Sequence, residues 1–409
     1  MTPKYGLLGK KLGHSHSERI HTLLGNVEYK KLETDESGLD TFLKKRDFIG
    51  YNVTIPYKKT VISYCDVLAD SAVKIGSVNT LICRDGKLIG ENTDFYGLCY
   101  TADRAGIDFC GKKVLILGAG GTSLSANAVA RARGALSVSV MGHADIDRGD
   151  FSAVADSEII INTTPVGMYP KNSSSPVDLR LFPNCEGVID AVYNPLYTML
   201  LIQAKQLGIC HSGGLPMLVA QAAMADSLFF GRQEPDKDKI EAIIKKLTFE
   251  VSNIVLVGMA GSGKTTIGEA VAAMTGRVFV DIDKAVTELA GMTIPKIFVE
   301  HGEEAFRKLE SDVIREVSAT KGGVIATGGG AVKSIENCNY LRQNGIILWL
   351  DRPPIMLELC GRPLMKDKET AERLYYERKP IYENVADYRI NCDNDITGVL
   401  SEVLSILNE

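Results

Sequence analysis

No apolar run in this sequence approaches the ~18 residues that a membrane-crossing helix needs. No cationic start leads into an apolar stretch of the kind a secretory signal carries. The nine cysteines are odd in number and scattered, without a C-x-x-C pair. That usage fits reduced thiols in a cytosol and speaks against a disulfide frame. The net charge is only −5, so nothing marks the chain for nucleic acid or for an anionic membrane surface. Tandem repeats and low-complexity tracts are also missing. What remains is an ordinary globular composition, 45% hydrophobic and 24% charged over 409 residues. That length is enough for two or three domains, expected in the cytoplasm.

Against this plain background two glycine-rich loops stand out, about 140 residues apart. Each follows an apolar strand. The first is VLILGAGGTS (Val114 to Ser123), which opens a dinucleotide fingerprint at Gly118-x-Gly120, with Ser123 where a third glycine often stands. Ala119, Gly121 and Thr122 belong to the same turn. The second is IVLVGMAGSGKTT (Ile254 to Thr266), which fits G-x-x-x-x-G-K-[ST] at Gly258, Gly263, Lys264 and Thr265. There, successive N–H groups and a helix N-terminus surround phosphates where Cβ atoms would clash. Gly261, Ser262 and Thr266 complete that loop. Lys264 is placed to reach the β- and γ-phosphates of ATP, and the Thr265 hydroxyl to ligate Mg²⁺.

Strand patterns at 4–9, 48–55, 113–117, 137–141, 158–162 and 187–191 predict an α/β fold with parallel sheets. A hairpin is predicted over 78–89, with Asp85-Gly86 as its turn. Helices are predicted near 100–105, over 216–230 and over 240–247. A short linker near 248–253 leads into the last domain.

After the second loop come FVDIDKAVTELAGMTIPKIFVEHGEEAFRKLE (Phe279 to Glu310), ATGGGAV (Ala326 to Val332) and GRPLM…ERKPIYENVAD (Gly361 to Asp387). In order and spacing these resemble the shikimate kinase family over residues 252–409. The resemblance implies that Asp283 orients the hydroxyl under attack, and that Arg307 and Arg378 hold the shikimate carboxylate, a task suited to a planar guanidinium. It further implies that Gly328, Gly329 and Gly330 admit the ring closely, that Asp281 stands in the outer shell of Mg²⁺, and that Arg362 lies on a lid over the γ-phosphate. No residue is assigned to the adenine.

Before and after the first loop stand KYGLLGKKLGHSHS, GYNVTIPYK, GSVNT and ENTD, then INTTPVGM, VYNPLYT and GGLPMLVAQA. Together these resemble shikimate dehydrogenase over about residues 1–247. The implied fold is an α/β substrate domain (1–99 with 231–247) joined to a Rossmann domain (100–230), ahead of a P-loop kinase domain (251–409). Reducing a ketone needs a general acid beside its oxygen. The resemblance implies Lys58 for that role with Asp94 as its partner. Ser15 and Ser17 would bind the substrate carboxylate, and Thr54, Asn79, Tyr193 and Gln221 would address the ring hydroxyls and carboxylate. Gly214 would admit the nicotinamide.

One departure concerns the cofactor. Where the family carries an Asn-Arg-Thr clamp for the 2′-phosphate of NADP, this chain has Gly142-His143-Ala144. The stretch from there to the next strand is short, so the arm that reads the adenosine ribose is trimmed. His143 or Arg148 is left to meet a phosphate, and NAD(H) stays open beside NADP(H). The reading is thus a bifunctional enzyme: 3-dehydroshikimate is reduced to shikimate, and shikimate is phosphorylated by ATP. The alternative is an active kinase behind a silent, NADH-using or quinate-preferring partner.

Overall fold

The computed structural model describes residues 3–13, 16–357, 367–393 and 395–408. Ser15 and Arg362 therefore lie outside the described residues. The chain divides into two compact units, Met1–Leu247 and Thr248–Glu409.

The first unit opens with β1 (Tyr5–Gly9), α1 (Ser17–Leu24), β2 (Tyr29–Glu33), α2 (Glu36–Lys45) and β3 (Gly50–Val53). It continues with β4 (Val67–Leu68), α3 (Asp70–Ile75), β5 (Thr80–Arg84), β6 (Lys87–Glu91) and α4 (Asp94–Ala105). These six strands form one mixed sheet in the order β2-β1-β3-β5-β6-β4. The β5–β6 hairpin turns on Asp85 and Gly86, both at positive φ (51° and 72°), as a two-residue I′ turn requires. Leu8, Leu39, Leu43, Phe48, Tyr51 and Val53 form one buried cluster at this sheet. Tyr5, Leu7, Tyr29, Ile82 and Phe229 form another.

Then follow β7 (Lys113–Leu117), α5 (Gly121–Ala132), β8 (Ser137–Met141), α6 (His143–Arg148), β9 (Ile159–Asn162) and β10 (Gly187–Asp190). Then come α7 (Met199–Gln206), β11 (Cys210–Ser212) and α8 (Gly214–Phe229), and the unit ends within α9 (Lys237–Val251). The second sheet is parallel throughout, in the order β11-β10-β9-β7-β8. Against the doubly wound order 3-2-1-4-5-6, it lacks the third strand. The short stretch after Met141 has room for one small helix and nothing more.

Helix α4 starts at Asp94, a turn and a half before the helix predicted near 100–105. Its companion α8 packs so closely that a Cβ on Gly97 would come within 2.7 Å of the Met217 carbonyl oxygen. That pair brings Asp94 and the start of α8 to one cleft.

The second unit comprises β12 (Asn253–Val257), α10 (Lys264–Thr275), β13 (Phe279–Asp281), α11 (Ile282–Ala290), α12 (Ile294–Ser318) and β14 (Val324–Ala326). After these come α13 (Ile335–Asn344), β15 (Gly345–Asp351), α14 (Lys368–Val385), β16 (Tyr388–Asn391) and α15 (Ile396–Asn408). Its parallel sheet runs β13-β14-β12-β15-β16. Helix α12 is interrupted at Gly302, where φ is 81°.

The predicted linker over 248–253 is mostly helix. α9 runs on to Val251 and β12 begins at Asn253. No glycine or proline stops the helix there. Arg277 supports its end by donating to the Phe249 carbonyl at 2.7 Å. No helix among the described residues is long and apolar enough to cross a membrane.

Candidate active sites

In the first unit a cavity of about 390 Å³ gathers Ser17, Thr54, Lys58, Asn79, Asp94, Thr122, Tyr193, Gly214 and Gln221 on its walls. Lys58 Nζ donates to Asp94 Oδ2 at 2.7 Å, with the two side chains 23% and 13% exposed. One ammonium proton is thus engaged, and two remain for a guest oxygen. Local chemistry explains the pairing. The Lys58 carbonyl accepts from the Val78 N–H at 2.8 Å, which ties the turn after β3 to the segment that leads into Asn79 and β5. Asn79 Oδ1 accepts from the Thr93 N–H at 2.8 Å, and Asn92 Oδ1 from the Asp94 N–H at 3.1 Å. Two asparagines therefore fix the helix start that aims Asp94.

Tyr193 is half-buried and its hydroxyl is pushed up by burial; its ring meets His16 edge-on at 5.8 Å. Gln221 turns its amide N–H₂ back on the Leu218 carbonyl at 2.8 Å. Gly214 is required by the protein itself, because a Cβ there would lie 2.2 Å from the Ala191 carbonyl oxygen. That close approach seats the first turn of α8 on the end of β10.

Beneath Ala191 lies a polar strut. Asp190 is wholly buried and accepts from Asn162 Nδ2 (2.9 Å), the Val192 N–H (3.0 Å) and Thr198 Oγ1 (2.6 Å). Burial pushes its carboxyl up to about 6.

Gly118, Ala119, Gly120 and Gly121 stand outside that cavity, at the β7–α5 turn. Gly118 is at φ 105°, and its N–H donates to the Met141 carbonyl at 2.8 Å. At Gly120 and Gly121 an added Cβ would meet nothing, and α5 begins without a side-chain cap. Open space above uncapped helix N–H groups fits a pyrophosphate. His143 begins α6, beyond β8, and is not among the cavity-lining residues.

In the second unit a cavity of about 730 Å³ is lined by Gly261, Ser262, Gly263, Lys264, Thr265, Thr266, Asp281, Asp283 and Gly329 among others. Gly258 (φ 144°) and Gly263 (φ 95°) take backbone angles that side chains rarely allow. Lys264 is nearly buried and donates to the Gly258 and Met259 carbonyls, both at 2.8 Å. Thr265 Oγ1 donates to Asp281 Oδ2 at 2.8 Å, and Asp281 also caps α11. A hydroxyl beside a carboxylate fits Mg²⁺, which keeps most of its waters and needs few protein oxygens.

The Gly328–Gly330 run is held by the charged residues around it. Arg378 Nη1 donates to the Gly329 carbonyl at 2.9 Å, and Tyr382 Oη to the same oxygen at 2.6 Å. A Cβ on Gly330 would lie 2.7 Å from an Arg307 nitrogen. One on Gly328 would lie 2.6 Å from Glu310 Oε1 and 2.8 Å from Asp283 Oδ1. Asp283, Arg307 and Arg378 thus converge on one glycine turn.

Two residues escaped the sequence reading. Glu310 is fully buried and accepts from Arg307 Nη1 at 2.8 Å; burial raises its carboxyl, with Arg307 opposing. Its spacing of three from Arg307 on one helix was the available signal. Arg352 lines the same cavity as Cys392, Asp395, Ile396, Thr397 and Val399, and its Nε is buried without a partner among the described residues. It stands one residue past the carboxyl end of β15, where open α/β sheets bind ligands.

Comparison with known proteins agrees with this geometry. The shikimate dehydrogenase substrate-binding domain family matches residues 7–81, and the shikimate kinase family matches residues 260–408. The shikimate dehydrogenase (NADP(+)) of Clostridium beijerinckii is 35% identical over 245 residues, covering 55% of this chain and 91% of that one. This chain belongs to the shikimate dehydrogenase family and carries a shikimate kinase domain behind it. Among solved dehydrogenases, a chorismate mutase/shikimate 5-dehydrogenase fusion from Clostridium acetobutylicum matches with TM-score 0.55 and 30% identity, over 59% of this chain and 96% of that one. Shikimate 5-dehydrogenase from Thermus thermophilus, in complex with NADP(H) and shikimate, matches with TM-score 0.53 and 30% identity, over 59% and 98%.

Proposed function

We propose that the first unit reduces 3-dehydroshikimate to shikimate with NADPH, and that the second phosphorylates the 3-hydroxyl of shikimate with ATP and Mg²⁺. The observation that carries this reading is the Lys58–Asp94 pair at 2.7 Å, on the wall of a cavity that Thr122 of α5 also reaches. In the domain division that goes with it, residues 1–99 and 231–247 hold the substrate and 100–230 the dinucleotide. Residues 251–409 transfer the phosphoryl group. The enzyme works in the cytoplasm, in keeping with eight free cysteines among the described residues.

When bound, the nicotinamide would supply a hydride to the carbonyl carbon. Lys58 Nζ donates a proton to the oxygen that becomes a hydroxyl, and Asp94 holds and aims the ammonium. Partial exposure of the pair lets solvent restore the proton. Ser15 and Ser17, the latter the first residue of α1, receive the carboxylate, while Thr54, Asn79, Tyr193 and Gln221 address the ring hydroxyls and the carboxylate. The amides opening α5, with Gly118, Ala119, Gly120, Gly121 and Thr122, hold the pyrophosphate.

In the kinase, Asp283 orients the 3-hydroxyl, and Arg307 and Arg378 pair with the carboxylate of the same molecule. Glu310 fixes the Arg307 guanidinium. Lys264 leaves its two loop carbonyls for the phosphates, and Thr265 with Asp281 would hold Mg²⁺, which would offset charge on the phosphates. Arg352 addresses the base, and Arg362 the γ-phosphate. The test is a pair of assays on one preparation: nicotinamide oxidation with 3-dehydroshikimate, and ADP release with shikimate. Loss of the first alone would leave a kinase joined to a silent binding module.

A further inference from the structure

Which dinucleotide the first unit accepts is decided beyond β8. Because Gly118 donates to the Met141 carbonyl at 2.8 Å, β8 ends against the phosphate turn. The residues that follow, Gly142 to Arg148, stand where such folds read the adenosine ribose. Four ionisable side chains occupy that stretch: His143, Asp145, the exposed Asp147, and Arg148. The Asp145 carboxylate folds back and accepts from the Gly142 N–H at 3.2 Å. Arg148 is committed to that same carboxylate and to the Ala144 carbonyl at 3.1 Å. The one guanidinium on α6 is therefore neutralised by an acid that lies nearer the strand end.

The two arginines at the end of the neighbouring helix α5 are engaged elsewhere. Arg131 donates to Asn127 and Arg133 to Asp103. Both sit at the far end of α5, about 15 Å from its start at ~1.5 Å per residue. With the third strand absent, β8 is also the edge of the sheet, so no further strand end brings a charge to this corner.

We propose that Asp145 sets cofactor choice: it accepts from a ribose 2′-hydroxyl and opposes a 2′-phosphate, so the dehydrogenase half binds NADH about as well as NADPH. A carboxylate that takes a hydroxyl proton forms a charge-assisted hydrogen bond, whereas beside a phosphate it is a like charge. Arg148, tied to Asp145, offsets that repulsion and keeps NADPH a ligand. The inference rests on the dehydrogenase reading above.

The test is binding, measured on the full chain by the fluorescence of the reduced nicotinamide without substrate. The parent is expected to bind NADPH and NADH with dissociation constants within about tenfold. Asp145→Asn, which keeps an oxygen for the Gly142 N–H while freeing Arg148, is expected to shift the ratio toward NADPH by about tenfold. Arg148→Ala is expected to shift it the other way. An unchanged far-ultraviolet circular dichroism spectrum of each variant reports that the substituted unit is folded. A parent that binds NADPH more than a hundredfold tighter overturns the inference alone, as does an unmoved ratio in Asp145→Asn. Binding of neither dinucleotide overturns the dehydrogenase reading with it.

Discussion

Each unit places one lysine at the centre of its polar site, and the two are held in opposite ways. Lys58 is partly exposed and faces a carboxylate, Asp94, whose helix start is pinned by asparagines. Lys264 is nearly buried and rests on two carbonyls of its own loop. A fixed partner suits a residue that gives up and regains a proton in place. Neutral loop acceptors suit one that must let go and follow a polyphosphate. The environment, more than the residue type, separates acid–base work from charge neutralisation.

That contrast is testable by substitution, beginning with the largest effect. Lys264→Ala should lower the kinase rate by about a thousandfold or more while reduction continues, since positioning and charge supply most of phosphoryl-transfer catalysis. Lys58→Ala should do the reverse, with a loss on the order of 10³ in reduction, inside the range for a general acid. Steady-state rates of both reactions on each variant check the pair. If either substitution slowed both reactions alike, the assignment of one lysine to one chemistry would fail. Arg378→Ala should raise the KM for shikimate by about 10- to 100-fold with the KM for ATP unchanged, because a bidentate partner of a carboxylate is lost. An unaltered shikimate KM would remove Arg378 from the site.

The smallest effect concerns Asp190, a third kind of buried charge, held by neutral donors alone. Its carboxyl is raised from 3.8 to about 6, burial being the main cause and its three hydrogen bonds opposing. The native state then binds the proton more tightly than the unfolded chain. The stability this gives is full below about pH 4 and is lost as pH rises through about 6, by about 3 kcal/mol at most. In Asp190→Asn that loss should disappear. The melting temperature of the variant, relative to the parent, should climb between pH 4 and 7. Parallel curves from calorimetry would refute it.

Much of this was legible in the sequence. Both glycine turns, the parallel strands and the hairpin follow from period and turn chemistry. The missing third strand follows from the short stretch after Met141. The motifs GSVNT and ENTD marked Asn79 and Asp94, although the pairing that aims Asp94 emerges only when two loops meet. Glu310 was hidden because an acid three residues from an arginine looks like any surface pair until its burial is known. Arg352 was hidden because it belongs to no glycine turn, and its place depends on where β15 ends. The glycines at 214 and 328–330 were read as room for ligands. Their crowding comes from the protein itself, which no single-sequence pattern reveals.

The helix α9 has a bearing on how such a two-enzyme gene can be cut and rejoined. Its early residues Ile240, Ile243, Ile244 and Leu247 belong to the core of the first unit, whereas the Phe249 carbonyl is claimed by Arg277 of the second. A kinase excised at Asn253 would forfeit that anchor, and a dehydrogenase trimmed before Ile240 would expose an apolar seam. The workable incision falls between Leu247 and Thr248, in the middle of a helix. Shuffling either module onto a new partner therefore means carrying half a helix along and supplying the other half.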